Sequence, residues 1–363
     1  MNKVSGYAQP VATAISEPVR PAVPRGIWSD HGLDAVEGLM VRVCAADTFD
    51  RMSVITSEHL ATGGKRLRAR LALGATEGLG GNRAAAIPWA ASCELLHNAT
   101  LLHDDVQDGD RVRRGRTAVW VRHGLAQAIN AGDLMLMLPY SVLDHLFVDD
   151  GVKWRLTRIL ARNAENIVRG QASELDLLIH ERLDWKAYAS ATEGKTAALF
   201  GLPVEGAAIL SGRTPAEARA LAEPFSRIGV LFQIQDDVLD LYGDKGRDVI
   251  GSDLYEGKVS ALVSEHLRLH PNDRSWLLSV LRAPRTDTRP EDVDTAIARF
   301  RDGGALAAVW GRMAAIEQEV EAWPALRRER RLHSVAMALV AKAIAPIAHT
   351  APRPTLAGAQ ENL

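Results

Sequence analysis

Along most of this chain, apolar residues return at three- and four-residue steps. The stretch WAASCELLHNATLLHDDV (89–106) has that rhythm and is rich in Ala and Leu. It recurs in AINAGDLMLMLPYSVLDHLF (128–147), WRLTRILARNAENIVRGQASELDLLI (154–179) and PVEGAAILSG (203–212). AEARALAEPFSRIGVLFQIQDDVLDLYG (216–243) and SVAMALVAKAIAP (334–346) continue it. Such a period puts one face of each segment on the core side of a helix. Alternating β-branched runs are nearly absent, and aromatics make up only 5% of the chain. The expected fold is therefore all-α. No short repeat and no shift of composition divides it, so residues 28–346 are read as a single domain, a multi-helix bundle. A Pro- and Ala-rich segment, 1–27, is expected to be a flexible arm, and 347–363 a flexible tail.

The bulk numbers remove several function classes. A chain of 363 residues with 47% hydrophobic content can bury a large core. A net charge of −2 argues against a nucleic-acid surface, so no nucleic acid is expected as a partner. The two cysteines, Cys44 and Cys93, have no metal-ligand spacing and fit a reduced compartment. The proline-broken N-terminus has no signal-peptide core, and no uncharged apolar run reaches the roughly 18 residues of a membrane span. A cytoplasmic protein without stable membrane insertion is expected.

Against that ordinary background, LLHDDVQDGDRVRRGRTAVW (101–120) concentrates charge of both signs. Residues four apart share a helix face, so Asp104 and Asp108 stack one turn apart with Asp105 beside them. Like charges so placed repel and call for a cation. Carboxylate oxygens suit Mg²⁺, which completes its shell with water and substrate phosphates. A solvated acidic helix face would explain one such triple. A second, Asp236, Asp237 and Asp240 in FQIQDDVLDLYG, follows 132 residues later at the end of another apolar helix. Two acidic helix ends facing each other would hold a cluster of Mg²⁺ ions, an arrangement suited to a diphosphate.

Basic residues stand where a diphosphate site needs them. GGKRLRARL places Lys65, Arg66 and Arg68 after Gly63 and Gly64, whose missing side chains permit a tight turn. Arg113 and Arg114 follow the first acidic turn, and their guanidinium forks match phosphate oxygens. GKTAALF supplies Lys195 and Thr196, and EGKVSAL supplies Lys258. This GKT is not a phosphate-binding P-loop, because SATEGKTA lacks that loop's first glycine. His97, on an apolar helix, is either a satisfied core residue or a ligand contact.

Taken together, GGKRLR, LLHDDVQDGDRVRRGR, AINAGD, GQASELDL, GKTAALF, FQIQDDVLDLYGD and GSDLYEGK resemble, in order, the motifs of the trans-polyprenyl diphosphate synthases. The resemblance spans Gly63 to Lys258 and implies the isoprenoid synthase fold, helices around a deep central cavity. It implies condensation of isopentenyl diphosphate with an allylic diphosphate, head to tail, after ionisation of the allylic carbon–oxygen bond. All six aspartates would hold Mg²⁺, in a cluster of three ions. Arg113, Lys195, Thr196, Gln233 and Lys258 would meet the allylic diphosphate, and Lys65, Arg68, His97 and Arg114 the isopentenyl diphosphate. The catalytic set would be Asp104, Asp105, Asp108, Arg113, Lys195, Asp236 and Lys258. A homodimer is implied too. Ala69 and Thr117 stand where the family commonly has proline, and Arg247 where it often has lysine; no charge needed by the chemistry is lost.

The growing chain would run back along the helix of the first triple, with Ala99, Thr100 and Leu96 as its floor. Ala99 is too small to stop a chain at farnesyl length, which points to Leu96 and a geranylgeranyl (C20) product. Longer or farnesyl products are the alternatives on length. A terpene cyclase or a non-catalytic, partner-binding homologue are the alternatives on function. A cyclase needs no second diphosphate site, and a non-catalytic relative need not keep both aspartate triples.

Overall fold

A computed structural model describes residues 30–45, 50–243 and 250–352. The expected arm, Arg247 and the end of the tail lie outside these. Helices form the chain in the order α1 Leu33–Ala45, α2 Arg51–Leu60, α3 Leu67–Gly78, α4 Ile87–Gln107, α5 Val119–His123 and α6 Leu125–Val142. Then come α7 Asp150–Ile179, α8 Trp185–Thr192, α9 Ala198–Leu210, α10 Pro215–Tyr242, α11 Ser252–Tyr255 and α12 Ala261–Leu269. The last are α13 Arg274–Leu281, α14 Pro290–Asp302, α15 Ala305–Ala322, α16 Pro324–Arg328 and α17 Arg330–Ile344. The all-α expectation holds. Among the described residues the only sheet is a hairpin pairing Val112–Arg113 with Arg116–Thr117.

Local chemistry sets several boundaries. Asp50, Asp184 and Ser260 each accept a backbone N–H at a helix start, satisfying a donor that has no partner inside the helix. Thr214 and Glu217 form a reciprocal capping box that starts α10, with Pro215 at its first position.

Helix α9 is the axis. Every residue from Ala198 to Ile209 is buried, the pattern of a helix apolar all round and enclosed by others. It packs on α3, α4, α7 and α10, while α4 packs most extensively on α6. Glycines permit two of these close approaches. A Cβ on Gly206 would lie 2.0 Å from the Trp89 ring, and one on Gly132 would lie 2.3 Å from His103. Side-chain hydrogen bonds then fasten α4 at its start. Trp89 Nε1 donates to the Pro203 carbonyl (3.0 Å) and Ser92 Oγ to the Pro139 carbonyl (2.9 Å).

The tail expected from residue 347 is packed through Thr350. Residues Ala345–Thr350 form a 3₁₀ helix, Ile347 is buried, and Trp310 Nε1 donates to Thr350 Oγ1. The segment Arg330–Thr350 has the length and apolarity of a membrane span. Its Leu332, Val335, Ala336, Leu339, Val340, Ala343 and Ile347 are instead buried, with α17 packed on α3, α10 and α15.

Candidate active site

A cavity of about 1000 Å³ opens between α3, α4, α6, α7, α9, α10 and the loop before α12. Among the α4 residues that line it, Leu96, Thr100 and Asp104 form a four-residue row that continues to Asp108 at the helix end. Eight residues of helix separate Leu96 from Asp104, about 12 Å of rise. At the next step, Ser92 does not line the cavity, because its bond to Pro139 draws α6 against α4. Along this row the lining therefore ends at Leu96, and Leu136 of α6 lines the cavity too. Ala99 lies on a different face, fully buried and outside the cavity lining. Its expected place in the floor is corrected: five residues before Asp104 is not the row that faces the hollow.

Helix rotation also sorts the six aspartates. Asp104, Asp108, Asp236 and Asp237 line the cavity, and Asp105 and Asp240 do not. One residue turns the helix by about 100°, which carries Asp105 into the protein, where it is 1% exposed. There Oδ1 accepts Arg113 Nε at 2.6 Å. Asp240 accepts the Ser252 hydroxyl (2.6 Å) and the Asp253 amide (3.0 Å). Asp237, 3% exposed, accepts Tyr188 Oη, Gln233 Nε2 and the Ala261 amide. Of the six expected metal-facing carboxylates, Asp104, Asp108 and Asp236 line the cavity with some exposure, whereas Asp105 and Asp240 lie outside its lining and Asp237 is buried against three donors.

Lysines stand among the carboxylates. Between α8 and α9 the chain makes one π turn, Glu193–Ala197, which carries Lys195 and Thr196. π turns often occur at functional sites because the extra residue redirects a side chain. This one is held by a glycine pair: a Cβ on Gly170 would lie 2.2 Å from the Lys195 nitrogen, and one on Gly194 would lie 2.8 Å from Gly170 Cα. Glu174, one turn beyond Gly170, accepts Lys195 Nζ at 2.6 Å, and Asp104 Oδ1 is 3.6 Å from it. Lys258 Nζ is 2.9 Å from Asp108 Oδ2 and 2.8 Å from Glu256 Oε2. Burial raises the Asp104 carboxyl to about 6 even against the pull of Lys195. Burial pulls Lys195 and Lys258 down, but Glu174 and Asp104 beside the first, and Asp108, Asp253 and Glu256 beside the second, hold both above the ordinary range.

Among the described residues, no group of three or more His, Cys, Asp or Glu side chains is drawn close enough to hold an ion. The donor chemistry nevertheless fits magnesium. Asp104, Asp108 and Asp236 offer only carboxylate oxygen, one of them lifted in pKa by burial, in a cavity roomy enough for phosphates and water.

A second polar cluster, rich in cations, lines the same cavity. Lys65, Arg68, His97 and Arg114 all belong to it, so the structure brings the four expected residues together. Arg114 and Gly115 are the central pair of the hairpin and both have positive φ, 53° and 73°, as a two-residue primed turn requires. This left-handed turn sends the Arg114 guanidinium back onto the Gly63 carbonyl and against Gly64. Arg68 stacks on Phe200 at 4.9 Å, and its own neighbour Glu94 accepts the Ala69 amide. Burial, then Arg68, Arg114 and Arg113, push His97 well below the usual histidine range. Arg66 turns away to Glu37 Oε1 (2.7 Å) and the Leu60 carbonyl (3.0 Å).

Thr196 Oγ1 donates to Gln233 Oε1 (3.0 Å), which joins those two expected residues. Reading the sequence missed Glu174, Gln171, Asp110, Tyr188 and Asp253, all of which line the cavity.

The polyprenyl synthetase family model matches residues 51–300. The chain is 38% identical over 248 residues to a short chain isoprenyl diphosphate synthase of Methanothermobacter thermautotrophicus, covering 66% of this chain and 75% of that one. It is 34% identical to a geranylgeranyl diphosphate synthase of Saccharolobus solfataricus, covering 66% and 74%. The crystal structure of geranylgeranyl pyrophosphate synthetase from Pyrococcus horikoshii superposes with a TM-score of 0.73 at 25% identity, covering 87% of this chain and 98% of that one.

Proposed function

Because the chain belongs to the polyprenyl synthetase family and is a prenyltransferase, we propose that it condenses isopentenyl diphosphate with an allylic diphosphate to give geranylgeranyl diphosphate. One observation carries this reading: a carboxylate–lysine cluster and a basic cluster line the same cavity together with an apolar surface. Two diphosphates need two such subsites, whereas a cyclase needs one.

In this reading Asp104, Asp108 and Asp236 would hold the Mg²⁺ ions, expected as a cluster of three, whose chemistry when bound would be Lewis acidity toward a diphosphate. Lys195, Lys258 and Arg113 add fixed positive charge where negative charge develops, as Thr196 and Gln233 orient the group. The allylic carbon–oxygen bond breaks, and the double bond of isopentenyl diphosphate forms the new carbon–carbon bond. A proton then leaves the adjacent carbon to the departing pyrophosphate. Lys65, Arg68, His97 and Arg114 keep the second diphosphate in place, since it is not lost. Leu96, Leu136, Ile167, Leu199 and Phe232 line the hollow with apolar surface and keep water from the cation.

The reading includes a cytoplasmic homodimer. Val168 and Leu175 are 59% and 45% exposed although they line the cavity, and Leu125, Ile129 and Met137 expose a neighbouring apolar face on α6. A second copy across α6 and α7 would close that wall; sedimentation of the purified chain as a monomer would remove this part.

The deciding experiment incubates the protein with Mg²⁺, labelled isopentenyl diphosphate and, separately, dimethylallyl, geranyl or farnesyl diphosphate. A linear C20 alcohol after dephosphorylation is expected. Longer alcohols would displace the floor, and a cyclic hydrocarbon formed without isopentenyl diphosphate would overturn the reaction.

A further inference from the structure

Resting on that reaction, we propose that Asp237 and Tyr188 form a tie that positions Lys195 and Lys258 together. Tyr188 is fully buried on α8, seven residues before Lys195, and α8 runs directly into the π turn. Ala261 opens α12, three residues after Lys258. Tyr188 Oη and the Ala261 amide both donate to Asp237 Oδ2, each at 2.8 Å. A single carboxylate oxygen thereby joins the segment carrying one lysine to the segment carrying the other. Each lysine meets a different aspartate of the first triple, Asp104 for Lys195 and Asp108 for Lys258.

The other oxygen extends the tie. Gln233 Nε2 donates to Oδ1 at 3.0 Å, while Gln233 Oε1 accepts from Thr196 at 3.0 Å. With an acceptor on one side and a donor on the other, the Gln233 amide has one satisfied orientation. Among the described residues, at least three of about four acceptor positions on the carboxylate are thus taken by this chain's own donors. Its neighbour Asp236, one residue away, is exposed at the cavity. The adjacent pair therefore divides the work, Asp236 toward metal and Asp237 toward the frame.

A second contact holds the same two helices. Arg312 of α15 stacks over Trp185 of α8 at 4.5 Å, and its Nε donates to Glu265 of α12 at 3.0 Å. Glu265 is fully buried. Loss of the Tyr188 hydroxyl should therefore loosen the lysines without unfolding α8.

The test compares Tyr188→Phe, Asp237→Asn, their double variant and Asp236→Asn with the unaltered chain. Turnover, KM for the allylic diphosphate and the Mg²⁺ concentration for half-maximal rate are measured. Calorimetry with inorganic pyrophosphate at saturating Mg²⁺ is run in parallel, and circular dichroism checks the fold. Tyr188→Phe and Asp237→Asn should each lower kcat by at least about tenfold, with the Mg²⁺ requirement moved by less than about twofold. The double variant should be little worse than Asp237→Asn, since the hydroxyl's other partner, Thr192, lies on its own helix. A roughly tenfold higher Mg²⁺ requirement for Asp237→Asn, matching Asp236→Asn, would overturn the tie, as would losses that multiply in the double variant. If the unaltered chain forms no prenyl product, the reaction falls while calorimetry still judges the tie. Pyrophosphate binding must then weaken in Tyr188→Phe and Asp237→Asn, and undiminished binding would refute it.

Discussion

Replacing Gly170 by alanine separates two opposite expectations. On helix propensity alone, Gly→Ala inside α7 should stabilise the protein by about 0.8–1.0 kcal/mol. The structure reverses the sign. The added Cβ would sit 2.2 Å from the Lys195 nitrogen and 2.5 Å from the Gly194 carbonyl carbon, both backbone atoms. Reaching the 3.4 Å of ordinary contact requires a separation of about 1.2 Å between α7 and the π turn. Forced overpacking of this kind costs about 1–3 kcal/mol, and each kcal/mol lowers the melting temperature by roughly 2–4 °C in a large domain. The same shift parts Lys195 from Glu174, now 2.6 Å apart. A displacement near 1 Å in a catalytic constellation costs on the order of 100-fold in rate. Gly170→Ala should thus melt several degrees lower and turn over about 100-fold more slowly, by circular dichroism and a labelled-isopentenyl assay. A variant that melts higher and turns over at full rate would refute the glycine-pair account.

Other perturbations follow from the same geometry. Asp104→Ala or Asp236→Ala should abolish Mg²⁺-dependent turnover while the circular dichroism spectrum stays helical; retained turnover would remove that residue from the metal set. Leu96→Ala should lengthen the product and Thr100→Phe shorten it by at least one isoprene unit, read by chromatography of the alcohols, whereas Ala99→Phe should destabilise the fold instead. His59 is buried, and burial, then Arg114, Arg113 and Arg66, lower it to about 4. The unfolded chain therefore binds a proton that the folded one refuses between about pH 6.5 and 4, so stability falls as pH drops through that window, by at most about 3 kcal/mol. His59→Gln should flatten that part of the melting-temperature profile, and an unchanged acid limb would assign it to other groups.

The helices and the order of the motifs were legible because a 3.6-residue period and a charge pattern are local properties. The division of the aspartates was only half legible. Four-residue spacing correctly paired Asp104 with Asp108, but the same rule turns Asp105 by a quarter turn or more, and only packing shows that Arg113 waits there. Apart from Gln233 one turn before Asp237, the donors to Asp237 and Asp240 stand 12 to 49 positions away, which no short window contains. Glu174 had a usable signal, since it stands one turn after Gly170 in GQASELDL, yet the meaning of that glycine depends on Gly194 across the helix pair. The hairpin was hidden because two-residue strands carry no alternation; its trace was the Arg114–Gly115 pair alone. Ala99 was misplaced by counting residues without assigning them to a helix face.

The bond between Ser92 and Pro139 makes the end of the hollow a junction of two helices, and the side chain above it only a final trim. Stops along this row of α4 recur at Thr100, Leu96 and next at Ser92, each about 6 Å further down. The helix acts as a ruler marked in turns, on the scale of the four-carbon repeat of a prenyl chain. Substitutions on that row would change product length in whole steps. Past Leu96 one mark is left, Ser92, where the bond to Pro139 closes the ruler.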